Sequence, residues 1–257
     1  MKLAKLNQSV EKVFQIIEIM ASEGEPMRLQ DIAQKSGLPA PTALRLINTL
    51  VTYGYALQDE STLRYSLSLK FAQIGGLVSS QISVRDIARP YVIELSRTCR
   101  ESACLAIEQG MEVVYIDVVY GPDDMLKIMQ RIGKRAPMHC TGIGKMFLTN
   151  YTKKQLFEYA SEKGLPPITP NTITDVGELD RELALVRERG YAVDNEECEL
   201  GARCVSAGIT DYSGKVILGI SVSGPAARMT PERVEELSSE VIRTGRLVSE
   251  KLVGRGI

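Results

Sequence analysis

The chain has 257 residues, of which 25% are charged and 44% hydrophobic, the balance of a soluble protein built as one large domain or two modest ones. Its formal charge is −1, +1 over residues 1–80 and −2 over the rest, which excludes a global field drawing the chain to nucleic acid. No apolar run approaches the roughly 20 residues of a membrane span, MKLAKLNQSVEK lacks a signal peptide's apolar core, and Cys99, Cys104, Cys140, Cys198 and Cys204 contain no CxxC, so they read as free thiols of a reducing cytoplasm.

Ser9 is placed to cap a first helix, with Val10, Val13, Phe14, Ile17 and Met20 at helical spacing on one apolar face. GEP at 24–26 ends it. In LQDIAQKSGLPAPTALRLINTL (29–50) Leu29, Ile32 and Ala33 share a face, Gly37 supplies a sharp turn, and Pro41 suits the first turn of a second helix. Ala43, Leu46, Leu50 and Tyr53 face inward, which leaves Thr42, Arg45, Asn48 and Thr49 outside. YALQDESTLRYSL (55–67) reads as a hairpin wing. This pattern predicts a winged helix-turn-helix. Its contacts are Pro41, Thr42, Arg45, Asn48 and Thr49, with Lys35, Arg64 and Lys70 giving a few ionic contacts that a dimer doubles. A plain helical bundle shares the outline but does not need the Ala33/Gly37 spacing or the wing.

Residues 68–80 read as a linker helix that loosens after Gly75-Gly76, and 84–102 as a helix with Ile87, Tyr91 and Leu95 on its stripe and a bend at Pro90. ACLAIE and EVVYIDVVY follow as strands joined at Gln109-Gly110, with MLKIMQRI a further strand candidate. Helices are expected at 141–150, 152–162 and 175–189, strands at 202–210 and 215–223, and a final helix from Pro231 to about Val253. Such mixing without strict alternation makes the class α+β with a largely antiparallel sheet.

Two stretches of this part carry chemistry. Around DYSG, a two-residue turn would set Ala202 opposite Ser223, Cys204 opposite Ser221 and Ser206 opposite Gly219, so that one side of the sheet is lined by small residues. Val216, Leu218, Ile220 and Val222 take the other side. The small side is either a ligand wall or a solvated outer face. In PMHCTGIGKMF (137–147), Thr141 caps a helix whose first N–H groups, at Gly142 and Ile143, point at the positive dipole end. That start serves either an anion or tight packing on the sheet.

Two other chemistries use the same residues. Cys204, His139 and Asp194 are the types of a cysteine hydrolase, but the only histidine stands at no diagnostic spacing. Cys140, Cys198, Cys204 and His139 are zinc-ligand types, but Cys198 and Cys204 are six apart, which is no standard pair.

Taken in order, SVEKVFQIIEIM, LQDIAQKSGLPAPTALRLINTL, PMHCTGIGKMF, GYAVDNEECELGARCVSAGI and ISVSGP resemble the IclR-type family of bacterial transcription regulators, over nearly the whole chain. The resemblance implies a winged helix-turn-helix over 1–67, a linker helix over 68–82 and a GAF-like effector domain over 83–257. It implies a non-enzymatic, cofactor-free, cytoplasmic regulator, a repressor or an activator, that binds operator DNA as a homodimer or homotetramer. Its effector would be a small carboxylate, a 2-oxo, hydroxy or aromatic acid. Matched position by position, the family pocket falls on Met125, Ile128, Gly142, Ile143, Asp194, Ala202, Cys204, Ser221 and Ser223. Ala40 and Pro41 stand where the family often has Lys and Ser, and the wing reads YSLS where YRLG is common, so basic contacts are lost.

Overall fold

The computed structural model describes residues 6–81, 83–121 and 131–253. The chain divides into two compact units, residues 1–82 and 83–257.

In the first unit, α1 (Gln8–Glu23) is capped by Asn7, whose carboxamide accepts the N–H groups of Ser9 and Val10; the expected cap, Ser9, lies inside the helix. Its expected single apolar face is split. Ile16 and Met20 are buried, while Val10 and Phe14 are 47% and 58% exposed, because α2 (Leu29–Ser36) and α3 (Ala40–Thr52) cover only the Ile16 side. Gly37, at φ +64, joins α2 to α3 through N–H bonds to Ala33 and Gln34 carbonyls, a conformation that favours glycine. Ala43, Leu46, Ile47 and Leu50 of α3 are buried, but Tyr53, expected inward, is 67% exposed just past the helix end. β1 (Ala56–Gln58) and β2 (Tyr65–Leu67) form the wing, and Met27 bridges to Tyr65. Helix α4 (Lys70–Gln81) runs on through Gly75-Gly76 instead of loosening there.

The second unit opens with α5 (Val84–Cys99), whose buried stripe is Ala88, Val92, Leu95 and Cys99, one step round from the stripe expected. β3 (Ser102–Glu108) and β4 (Glu112–Val119) turn at Gly110 and Met111, both at positive φ, as a two-residue hairpin with right-handed strand twist requires. Most of the MLKIMQRI strand candidate lies outside the described residues. β5 (Arg135–Pro137), α6 (Gly142–Leu148), α7 (Lys153–Lys163) and α8 (Val176–Arg189) follow. β6 (Ala192–Asn195), β7 (Ala202–Thr210), β8 (Val216–Pro225) and α9 (Pro231–Leu252) complete it. The sheet order is β5-β4-β3-β8-β7-β6, antiparallel throughout. One face packs on α5 and α9 through Val205, Ile209, Leu218, Ile220 and Val222; the other carries α6, with α8 behind it.

The β7–β8 register differs from the two-residue-turn expectation. Cys204 pairs with Ser223 and Ser206 with Ser221, a slip of two. Asp211 pairs with Lys215 around a three-residue turn, and a bulge follows between Ile209 and Thr210. Each adds one residue. Two shifts of one restore the side-chain period, so Cys204, Ser206, Ser221 and Ser223 still share a face. Val216, beyond the bulge, is turned to the α6 side, against expectation.

Candidate functional site

The outer side of α3 exposes Pro41, Arg45, Asn48 and Thr49, with Thr42 half-buried. The hydroxyl of Thr49 donates to the Arg45 carbonyl at 3.0 Å. That leaves its oxygen to accept, and Arg45 as the cation of this surface. Lys35 is engaged by Glu23, and Arg64 donates to the Pro26 carbonyl at 3.0 Å. Both expected contacts thus sit within the unit's own bonding, as does the Thr49 hydroxyl. At the wing tip Asp59 accepts from the Ser61 and Thr62 hydroxyls and N–H groups. The Ser61 hydroxyl foremost, then the Thr62 N–H, holds its carboxyl down to about 2, so the tip carries a negative charge, which opposes a phosphate contact there.

In the second unit the small-residue face is neither solvated nor open along its length. Ser206, Ser221 and Ser223 are buried. Helix α6 lies on it. A side chain at Gly219 would run into Ile143, and one at Gly142 into Ser206 and Cys204. The strip is small because a helix must approach the sheet closely. Thr141 caps α6, accepting the Gly144 N–H at 3.2 Å and donating to the Pro137 carbonyl at 2.8 Å. Gly144 is pressed against the Met138 backbone, where any side chain would collide. The packing reading of PMHCTGIGKMF therefore holds for its glycines, and the helix start borders a cavity.

That cavity lies at the end of the strip that α6 leaves uncovered. Tyr115, Thr141, Asp194, Ala202, Cys204 and Ser223 line it. The structure thus brings together four expected residues, Asp194, Ala202, Cys204 and Ser223. Gly142 adjoins them, set close against the Cys204 sulfur. Ser221 stands one pair further along, against the Cys104 thiol, and Ile143 is packed over Gly219. Met125 and Ile128 lie outside the described residues. Sequence reading missed Tyr115, Lys134, Cys198 and Arg203, which also reach the cavity. Tyr115 alone carried a signal, as an aromatic on a strand that alternates inward. The volume is about 30 Å³, room for about one water.

Burial raises the Asp194 carboxyl to about 7, helped by the Glu197 charge and opposed by the N–H groups of Glu197 and Cys198 and by Lys145. Those N–H groups donate to its Oδ1 at 2.8 and 3.2 Å. Near neutrality the carboxyl is therefore partly protonated and its remaining oxygen can donate, which removes the repulsion an ionised Asp would exert on an anionic guest. Behind it, Lys145 is buried in α6 and reaches Glu197 Oε1 at 2.6 Å and the Val193 carbonyl at 2.8 Å. A lysine inside the apolar run GIGKMF was the overlooked sign of this pair. Arg203 is occupied by Asn195 Oδ1 at 2.7 Å and Glu196 Oε1 at 3.1 Å, so Lys134 is the cation of the rim.

The hydrolase arrangement does not assemble. His139 is fully buried, with Nε2 on the Pro166 carbonyl at 3.1 Å, and it does not line the cavity. Burial pushes the Cys204 thiol up to about 12, far from the thiolate a nucleophile requires. Nor do the four zinc-ligand types converge: among the described residues no three His, Cys, Asp or Glu side chains gather at metal-binding distance. No helix among the described residues is long and apolar enough to cross a membrane.

Comparison with known proteins matches both units. The model of the IclR helix-turn-helix domain matches residues 9–60, and that of the bacterial transcriptional regulator IclR C-terminal domain matches residues 77–250. The chain is 31% identical to the HTH-type transcriptional regulator XynR of Escherichia coli K12, over 95% of this chain and 97% of that protein. It is 32% identical to the regulator KdgR of Dickeya chrysanthemi, over 95% and 79% respectively. The solved structure of Thermotoga maritima IclR superposes with a TM-score of 0.63 at 33% identity, covering 95% of this chain and 98% of that one.

Proposed function

This chain belongs to the IclR family of bacterial transcriptional regulators, and we propose that it acts as a dimer whose grip on operator DNA is set by a small organic acid held beside α6. It is a DNA-binding regulator and not an enzyme. What supports the acid is the cavity. A helix start, the neutral form of a buried carboxyl, a serine and a thiol meet there, with Lys134 at the rim.

The carboxylate of a 2-oxo or hydroxy acid would sit between Lys134 and the N–H groups at the start of α6, with Asp194 and Ser223 binding its second oxygen. A volume of about 30 Å³ is too small for such an acid, so binding parts the walls. That movement is what a regulator can transmit. Met125 and Ile128 would cover the carbon chain, as the resemblance implies. Ser223→Ala is expected to cost about 1–3 kcal/mol of affinity, because it strands a ligand oxygen. Ser221→Ala, whose hydroxyl faces Cys104, should bind nearly as wild type. A thermal-shift screen of small 2-oxo, hydroxy and aromatic acids supplies the ligand, and calorimetry on the two variants reads the difference. Equal affinities for Ser223→Ala and wild type would remove the acid from this cavity.

On DNA, α3 would read the groove through Arg45, Asn48 and Thr49, with Thr42 and Pro41 at its entry and Lys35 and Arg64 on phosphates. So few cations per chain make two copies necessary. Affinity should fall with salt at a log–log slope of about −0.9 per phosphate neutralised. Arg45→Ala should weaken binding by about 1–3 kcal/mol if Arg45 meets a base edge. Footprinting on the DNA upstream of the coding sequence tests both. No protection at low salt would defeat the reading.

The second copy is expected on α1. Val10 and Phe14 are 47% and 58% accessible there, and Leu6, just before the helix, is 63% accessible, more apolar surface than a lone helix keeps bare. Phe14→Glu in the full chain should shift sedimentation toward the monomer and, with it, lower DNA affinity. An unchanged dimer would place the interface elsewhere.

A further inference from the structure

We propose that Tyr115 sets the specificity of the acid cavity: its hydroxyl binds the oxygen on the second carbon of a short 2-oxo or 2-hydroxy acid, and acids without that oxygen are turned away. The proposal rests on the acid reading above and adds the group that chooses among acids.

Strand β4 delivers this side chain to the cavity. Tyr115 is 6% exposed and lines the cavity with Lys134, Ala136 and Thr141. Its main chain is held at both ends: its N–H donates to the Lys134 carbonyl at 3.1 Å, and its carbonyl accepts the Gly133 N–H at 2.8 Å. On β3 it is paired with Ala106, while the next pair joins Leu105 to Asp117, so Ile116 is passed over in a bulge. A bulge bends its strand and re-aims the side chains beside it. The smallness of Ala106 leaves the ring room to lean along the sheet toward the end that α6 does not cover.

The hydroxyl at the end of that ring has no hydrogen-bond partner among the described residues. Nor is it one of the enclosed unpartnered atoms, which are Asp117 Oδ2, His139 Nδ1 and Glu197 Oε2. It therefore opens on the cavity that Tyr115 lines. An unpaired hydroxyl in a buried place costs stability, and phenylalanine would fill the same space without that cost. A guest that completes the bonding accounts for it. Burial, the leading cause, raises the phenol well above its ordinary range, so the group keeps its proton and can donate.

The neighbour of Tyr115 decides which oxygen it meets. Lys134 lies directly across from it and, as the cation of the rim, would take the carboxylate. A donor beside that cation faces whatever is carried on the carbon next to the carboxylate. A keto oxygen accepts from the phenol, and a hydroxyl accepts or donates, so both classes fit. An unsubstituted acid sets a C–H there and leaves the phenol buried and unpaired, which is how a polar site rejects an analogue that lacks the matching group. With about 30 Å³ to start from, a three-carbon chain asks the least movement of the walls.

The test is calorimetry of the full-length protein with pyruvate, lactate and propionate, on wild type and Tyr115→Phe. Wild type should bind pyruvate and lactate at least about tenfold more tightly than propionate. In Tyr115→Phe that preference should shrink about tenfold through loss of pyruvate and lactate affinity, with propionate unchanged. Without ligand, Tyr115→Phe should melt at or above the wild-type temperature, because the lost hydroxyl had no partner. Equal binding of the three acids by wild type overturns the proposal and needs no variant. An unchanged preference in Tyr115→Phe, an equal loss of all three acids, or a lower melting temperature would each overturn it as well. Those results leave the acid reading standing, whereas a wild type that binds none of the three acids overturns both.

Discussion

Lys145→Met is expected to cost the second unit about 3–5 kcal/mol of stability at pH 8, the scale for stranding a buried charge. Lys145 is 1% exposed in its side chain and Glu197 7%. With the ammonium gone, Glu197 keeps only the Asn195 N–H, at 3.2 Å on Oε1, and its Oε2 already has no partner. Methionine preserves the volume, so the loss reports charge and not a cavity. Burial already raises the Glu197 carboxyl, with Lys145 holding it down. Without Lys145 it rises further, so the variant should recover toward wild type as pH falls and the acid takes a proton. Lys145→Met with Glu197→Gln should restore most of the loss, because no unpaired charge remains. Urea denaturation at pH 8 and pH 5.5 gives all of these values. A Lys145→Met variant within about 1 kcal/mol of wild type at pH 8 would mean that water reaches Glu197 and the pair is not truly buried.

Asp194→Asn is expected to act in the opposite direction. The folded Asp194 carboxyl stands at about 7 against an ordinary 3.8, with burial the leading cause. Between those values the folded chain holds a proton that the unfolded chain releases, so its contribution to stability is complete below pH 4. It declines as pH rises to 7 and is flat above. The shift corresponds to a penalty on the order of 4 kcal/mol at pH 8 for ionising it in place. Asparagine keeps the Oδ1 that accepts from Glu197 and Cys198 and carries no charge. The variant should therefore be more stable than wild type at pH 8 and equal to it near pH 4. The groups around this carboxyl are Glu197, Lys145, Cys198, Cys204, Lys134 and Glu199. Glu197 is raised and His139 lowered, both by burial. Their pH dependences are opposed and present in both proteins, so the variant-minus-wild-type difference isolates Asp194. A difference independent of pH between 4 and 8 would show that Asp194 ionises normally.

The elements of this protein were legible where their chemistry is local. Gly37, Pro41, Thr141, Gly190 and Pro231 mark helix ends because a cap bonds within four residues of itself, and that spacing is written in the chain. The period-two pattern of VILGISVSG told which residues share a face of β8. Asp194, Ala202, Cys204 and Ser223 were legible through the resemblance, and the structure brings them to one cavity. Distance in the chain decided the rest. The β7–β8 register needed a three-residue turn and a bulge that no motif announces, and their sum, not either alone, kept the serines inward. That Ile16 and not Phe14 faces inward on α1 follows from where α2 and α3 dock. Whether Ser221 or Ser223 meets the cavity depends on how far α6 extends over the strip. The Lys145–Glu197 pair spans 52 residues. Such pairs exist only once packing has excluded water from both partners, and that exclusion belongs to the tertiary structure alone.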